Sequence, residues 1–225
     1  MDKKYREIKG IVEKELSCSA HDIDHVMRVY NLCEHLARGE AGIDLEVLRM
    51  AALLHDIARV KEDGDSTGST DHAVLGADMA ERILQELGYD AEFISKVKHC
   101  IITHRFRSGR RPETMEAKIL FDADKLDIIG AVGVARSFII AGEYGERIFS
   151  DVPLEEYIKT NLVGGESSGR VKEVSEHAAN LEFELKLKYI PEKLHTLKAK
   201  EIAKKRIKLM TVFFERLEEE IKGES

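Results

Sequence analysis

Apolar residues recur along the chain at steps of three and four, the spacing that turns one face of an α-helix inward. Residues 2–16 carry Tyr5, Ile8, Ile11 and Val12 on one side, and residues 17–20 form the break. A second helix is predicted from His21 to Arg38, with the stripe His25, Val29, Leu32 and Leu36 and with Gly39 as its stop. Asp44 can cap a helix from Leu45 to about Ala58, whose stripe Leu45, Leu48, Ala52 and His55 ends on a histidine. Residues 61–70, KEDGDSTGST, hold no apolar side chain and read as a loop. Asp71 opens the next helix, with His72, Gly76, Met79, Ile83 and Leu87 in line before Gly88. Asp90 caps another, where Phe93, Val97, Cys100 and His104 align and His99 falls to the side. A basic loop over 105–112 then leads to a helix over 113–129 with Leu120, Asp124 and Ile128 on one face.

Beyond that point the pattern is less regular. Residues 130–140 are small and apolar and predict a buried helical continuation, and 142–169, rich in Gly, Glu and Ser, predict a long irregular excursion. LEFELKLKY, residues 181–189, alternates as a strand would, but its Leu, Glu and Lys content favours helix up to Pro191. A closing helix over 195–222 places Ala203, Ile207, Met210, Phe214, Leu217 and Ile221 inward and lysines between Lys198 and Lys208 on a solvated outer face. With 43% hydrophobic residues, 34% charged residues, three prolines and no tryptophan, the chain is expected to be all-α. Its net charge of −7 argues against stable nucleic-acid binding through phosphate contacts, while leaving room for a local anion site. Cys18, Cys33 and Cys100 lack metal spacing, and reduced core thiols fit a cytoplasmic chain. Residues 1–10 have no apolar export core and no stretch approaches 18 apolar residues, so neither an export signal nor a membrane span is expected.

The polar residues on the inward stripes change this picture. An inward histidine is ordinarily a satisfied core residue, and a His-Asp pair such as His55-Asp56 can simply stabilise its own charge. Here His25, His55, His72, His104 and Asp124 fall on inward positions of five successive helices, with Asp56 beside His55. Such a cluster needs a central charge, and imidazole plus carboxylate suits a divalent transition metal. Competing motifs are weaker. HDIDH, residues 21–25, has the zinc-protease spacing but carries Asp22 where that chemistry needs Glu; Asp63-Gly64-Asp65 lacks the remaining ligands of a calcium loop. No Gly-x-Ser-x-Gly elbow or phosphate-cradling glycine loop is present.

His25, then His55-Asp56, then Asp124, set in AHDIDHVMRV, AALLHDIA, DHAVLGADMA and EAKILFDADKLDIIGAVGVAR, resembles the HD-domain superfamily of metal-dependent phosphohydrolases, in particular its stand-alone bacterial nucleoside triphosphate pyrophosphohydrolases. The likeness covers about residues 20–149. It implies one HD-type helical domain over 1–225, an HD helical bundle with a C-terminal helical extension. It also implies His25, His55, Asp56 and Asp124 as ligands of one divalent ion. Manganese is favoured among manganese, magnesium, nickel, iron and zinc, and His72 and His104 match positions that hold a second ion in some members and touch substrate phosphate in others. Where relatives often have Lys a turn after the pair, this chain has Arg59, which keeps the charge in a planar fork. Asp56 would orient water, with Arg59 and His72 facing the phosphoryl oxygens.

After His104 the loop supplies Arg105, Arg107, Arg110 and Arg111, guanidiniums suited to phosphate, although a solvated basic loop has the same composition. The expected activity is hydrolysis of a nucleoside triphosphate to monophosphate and pyrophosphate. Two alternatives stand beside it: phosphomonoester or phosphodiester hydrolysis of another small substrate, and a non-catalytic metal- or nucleotide-binding HD module. Homodimerisation is left open.

Overall fold

A computed structural model describes residues 3–16, 23–105 and 109–224, and its regular structure there is helical, with two isolated β-bridges and no strand. Backbone packing divides the chain into two compact units, residues 1–127 with 194–199, and residues 128–193 with 200–225. Among the described residues no helix is long and apolar enough to cross a membrane.

The first unit holds α1 (Lys3–Glu15), α2 (Ile23–Ala37), α3 (Leu45–Leu54), α4 (Arg59–Asp63), α5 (His72–Glu86), α6 (Ala91–Thr103) and α7 (Met115–Asp127). Helix α3, LEVLRMAALL, is apolar nearly all round, and a helix of that kind belongs at the centre. It packs against α1, α2, α5, α6 and α7, and Val47, Leu48 and Met50–Leu54 are buried; Leu45, assigned to the inward stripe, is instead 42% exposed. The predicted caps form: Asp44 accepts from the Glu46 and Val47 amides at 3.1 Å, Asp71 from Ala73 at 3.0 Å, and Asp90 from Phe93 at 2.8 Å.

Several boundaries differ from those expected. Helix α3 stops at Leu54, so His55 to Ala58 form a turn, and Arg59–Asp63, its last three residues assigned to loop, makes the short α4. The buried face of α5 keeps His72 and Gly76 from the expected stripe and adds Ala73, Ala77, Ala80 and Leu84, while Met79, Ile83 and Leu87 are only partly buried. Asp122 of α7 is fully buried and accepts from the His195 and Thr196 amides and the Thr196 hydroxyl at 2.7–2.8 Å. The segment from His195 is thereby tied to this unit.

The second unit holds α8 (Gly130–Tyr144), α9 (Leu154–Asn161), α10 (Ala179–Leu185), α11 (Ile190–Lys193) and most of α12 (Leu197–Lys222). Residues 130–140 do not continue α7. Ile129 is extended and Gly130 takes φ +82°, a left-handed conformation that glycine accepts without penalty. A Cβ on Gly133 would lie 2.5 Å from the Ile128 carbonyl oxygen, so this turn requires a residue without one. Helix α8 is also less buried than expected, with Ile139 exposed. The predicted excursion contains α9, whose Tyr157 joins Leu162, Ala178, Leu181 and Leu185 in a small core. LEFELKLKY is helical, as its composition favours, in α10 and a following 3₁₀ turn. Pro191 does not end the helical path: it lies in the first turn of α11, where its missing N–H has no intrahelical acceptor to lose. In α12, Ala203, Met210 and Phe214 are buried while Ile221 is exposed.

Candidate metal centre

The turn that ends α3 lets consecutive residues converge, which they could not do within a helix. Ile57 and Arg59 donate their amides to Leu54 and Asp56 carbonyls, and His55 and Asp56 are both buried. Helix α2 brings His25, α5 brings His72 from its first residue, the C-terminal end of α6 brings His104, and α7 brings Asp124. All six side chains meet in the first unit.

Each imidazole has its Nδ1 engaged. His25 donates to Asp127 at 2.8 Å, His55 to the Ala52 carbonyl at 2.9 Å, His72 to Glu62 at 2.7 Å and His104 to the Ile101 carbonyl at 2.6 Å. That arrangement selects the tautomer whose Nε2 lone pair points into the cluster, the usual supporting pattern behind a metal-bound histidine. His25 and His55 Nε2 lie 3.3 Å apart, His72 and His104 Nε2 3.2 Å. Asp56 stands between the two pairs: Oδ2 is 3.6 and 3.8 Å from His25 and His55, and Oδ1 is 3.4 and 3.5 Å from His72 and His104. Asp124 Oδ1 is 3.5 Å from His25 Nε2.

Donors bound to one ion at about 2.0–2.2 Å lie roughly 3.0–3.5 Å from one another, so these separations suit a shared ion after small shifts. His25, His55 and Asp56 form one group able to hold a cation, and Asp56, His72 and His104 a second. The donor set therefore fits a divalent ion and has room for two.

The electrostatics of the bare cluster are opposed. Burial disfavours a charge on His25, yet Asp124, Asp127 and Asp56 outweigh it and raise its pKa to about 9. Burial pushes His55 the other way, down to about 4. Burial also works against the Asp56 and Asp124 carboxylates, but His55 and its neighbours hold Asp56, and Lys125 with His25 hold Asp124, well below the ordinary range. A proton on His25 and a metal ion would compete for the same Nε2.

Around this centre stand groups that the sequence pattern did not single out. Asp127 is gripped by Arg28, whose Nε and Nη2 donate at 2.8 and 3.1 Å, and it orients His25. The buried Lys125 is ion-paired with Asp124. Glu62 receives His72, Arg59 at 3.1 Å and Arg105 at 2.7 Å. The i, i+3 spacing of Asp124 and Asp127, and of His25 and Arg28, was a signal open to reading. Glu62 had none, being set in a polar run. Of the loop arginines, Arg105 and Arg110 pair with Asp71 at 3.3 and 3.6 Å, Arg111 is exposed, and Arg107 lies outside the described residues, as do His21, Asp22 and Cys18. Cys33 and Cys100 are buried free thiols, and burial pushes Cys100 up to about 12.

Comparison with known proteins meets this geometry. The HD domain family profile matches residues 22–129, the span from His25 through Asp127. The YpgQ protein of Bacillus subtilis is 31% identical over 209 residues, covering 91% of this chain and 86% of that protein. Its crystal structure in complex with ADP aligns with a TM-score of 0.71 at 28% identity, over 98% of this chain and 100% of that one. A predicted HD superfamily hydrolase from an uncultured Thermotogales bacterium aligns at 30% identity and TM-score 0.63, over 96% and 91%. The 3′-5′ exoribonuclease YhaM of B. subtilis is 29% identical over 142 residues, 56% of this chain and 44% of that protein. The chain belongs to the HD-domain superfamily.

Proposed function

We propose that the protein is a metal-dependent phosphohydrolase that cleaves nucleoside triphosphates to monophosphate and pyrophosphate, acting in the cytoplasm. The observation that carries this reading is the convergence of four imidazole Nε2 atoms on the two oxygens of one buried carboxylate, Asp56. His25, His55, Asp56 and Asp124 would hold one divalent ion, with manganese preferred. Such an ion supplies Lewis acidity, polarising a phosphoryl oxygen and lowering the pKa of water from 15.7 to roughly 7.

The chain's own residues do the rest. Asp56 accepts a hydrogen bond from the attacking water and aligns it, while His72 and His104 present polar ring nitrogens on the far side of the same carboxylate. Arg59 bears on the phosphoryl oxygens from the start of α4, and Arg105, Arg107, Arg110 and Arg111 take the remaining phosphates through charge-assisted hydrogen bonds. The ADP complex of YpgQ supports a nucleotide as ligand. A second reading, phosphodiester hydrolysis, is favoured by the partial likeness to YhaM.

The deciding experiment is a panel of nucleoside mono-, di- and triphosphates, cyclic nucleotides and a short oligoribonucleotide with added manganese, scored separately for orthophosphate and pyrophosphate. Pyrophosphate from triphosphates supports the reading. Orthophosphate alone would replace it with a phosphomonoesterase, and oligonucleotide cleavage alone with a phosphodiesterase.

A further inference from the structure

Three of the groups assigned above to substrate meet at the Glu62 side chain. Its Oε2 accepts from His72 Nδ1 at 2.7 Å and faces Arg59 Nη1 at 3.1 Å, and its Oε1 accepts from Arg105 Nη1 at 2.7 Å. These three come from separate parts of the chain: the short α4, the first residue of α5 and the segment after α6. Glu62 is only 15% exposed at its side chain, so the contacts are shielded from solvent. Glu62, Asp71 and His72 could between them hold a cation, but Arg105 Nη1 sits 2.7 Å from Glu62 and 3.3 Å from Asp71. The chain has put its own cation there, which argues against a further metal site.

We propose that Glu62 is a positioning residue: one carboxylate sets the orientation of the His72 ring and the reach of Arg59 and Arg105, so that an imidazole and two guanidiniums meet a phosphoryl group as a unit. The inference rests on the phosphohydrolase reading. With Nδ1–H committed to Glu62, His72 keeps Nε2 toward Asp56 Oδ1, 3.4 Å away. The other tautomer would present an N–H, and a flipped ring a C–H, where an acceptor now stands. Each guanidinium meets Glu62 through one Nη1, while Arg59 also faces Asp63 at 3.2 Å and Arg105 also faces Asp71 at 3.3 Å; with five donors in a fixed fork, an Arg held by carboxylates in this way has its plane set before phosphate arrives. A loose arginine would pay side-chain entropy on each binding event; one already tied down would not.

The test is a double-mutant cycle on the metal-loaded enzyme. Glu62→Ala and Glu62→Gln are compared with Asp63→Ala, which removes the same charge from the same short helix and contacts Arg59 at 3.2 Å. Metal content by elemental analysis and thermal melting are read beside kcat and KM. Glu62→Ala should keep the bound metal, lower kcat/KM 10- to 100-fold with both parameters changed, and make Arg105→Ala nearly silent when combined with it; Glu62→Gln, which retains an acceptor for His72, should recover part of kcat but not of KM. Asp63→Ala should change kcat/KM less than threefold. Full additivity of Glu62→Ala and Arg105→Ala, or an equal loss in Asp63→Ala, would overturn the inference. So would a fall in melting temperature with kcat and KM unchanged, since Glu62 would then only staple three segments. A wild-type enzyme inactive on every phosphate ester would instead remove the phosphohydrolase reading, and the inference with it.

Discussion

The two units bury polar side chains by opposite rules. In the second, every polar group described at its core meets its complement within the chain: the Asn161 amide donates to the Glu173 carbonyl and accepts from the Glu173 amide, both at 2.9 Å. Asn180 and Ser150 make the same reciprocal pair at 2.8 and 3.0 Å, and Tyr157 bonds His177 at 2.6 Å. Asp122 in the first unit follows that rule too, ringed by donors. Two residues later Asp124 takes Lys125 on one oxygen but turns the other to His25 Nε2, and Asp56 faces ring nitrogens whose donor ends are committed elsewhere. Buried acceptors set against one another are costly unless a cation lies among them, whereas matched donors and acceptors stabilise the fold unaided. Polar burial alone does not mark a site; polar burial with the donors turned away does.

Asp56→Ala breaks the comparison most sharply. It should abolish stoichiometric metal binding and reduce hydrolysis more than a thousandfold, with the helical circular dichroism kept and the metal-dependent rise in melting temperature gone. Metal still bound with a lower melting temperature would mean that His55 and Asp56 are an ordinary core pair. Asp127→Asn is next in size. The substitution weakens the hold on His25 and should lower metal affinity 10- to 100-fold, the usual cost of losing the partner behind a ligand, as read by competition with a chelator.

In the second unit the expectation reverses. Asn161→Ala strands a Glu173 amide and carbonyl and should destabilise by about 2 kcal/mol in urea unfolding, while metal content stays at the wild-type value. A loss of metal in that variant would contradict the separation of roles. The smallest effect is in acid. Burial works against the Glu182 carboxylate, but His177 and Lys186 outweigh it and hold its pKa below the ordinary 4.5. A depressed acid contributes stability above the unfolded-state value and loses it as pH falls through the folded one. Glu182→Gln should therefore flatten the decline in stability below about pH 4.5 and leave the curve above it parallel to wild type, with or without chelator. An unchanged slope would show that Glu182 gains nothing from its neighbours.

Much of the site was legible because a helix repeats every 3.6 residues, so an inward histidine declares itself by its distance from the leucines around it. His25, His55, His72, His104 and Asp124 could be placed in this way. What the pattern could not carry was the second layer. Asp127 and Arg28 share a helix face with Asp124 and His25, which spacing does show, but their pairing with each other across the chain and the role of Glu62 depend on remote partners about which periodicity holds no information. The same limit explains the fold errors: the turn at His55 follows a sequence that is continuous helix by composition, and α9 lies among glycines and glutamates that, taken together, read as loop. The break before α8 turns on the backbone of Gly130, a conformation that its apolar neighbours conceal.

The central claim is that one divalent ion joins α2, the α3 turn and α7. A crystal grown with manganese, with data collected at a wavelength where that metal scatters anomalously, tests it directly. The account predicts a peak about 2.0–2.3 Å from His25 Nε2, His55 Nε2, an Asp56 oxygen and an Asp124 oxygen. A peak bound elsewhere, or none there at saturating manganese, would contradict it.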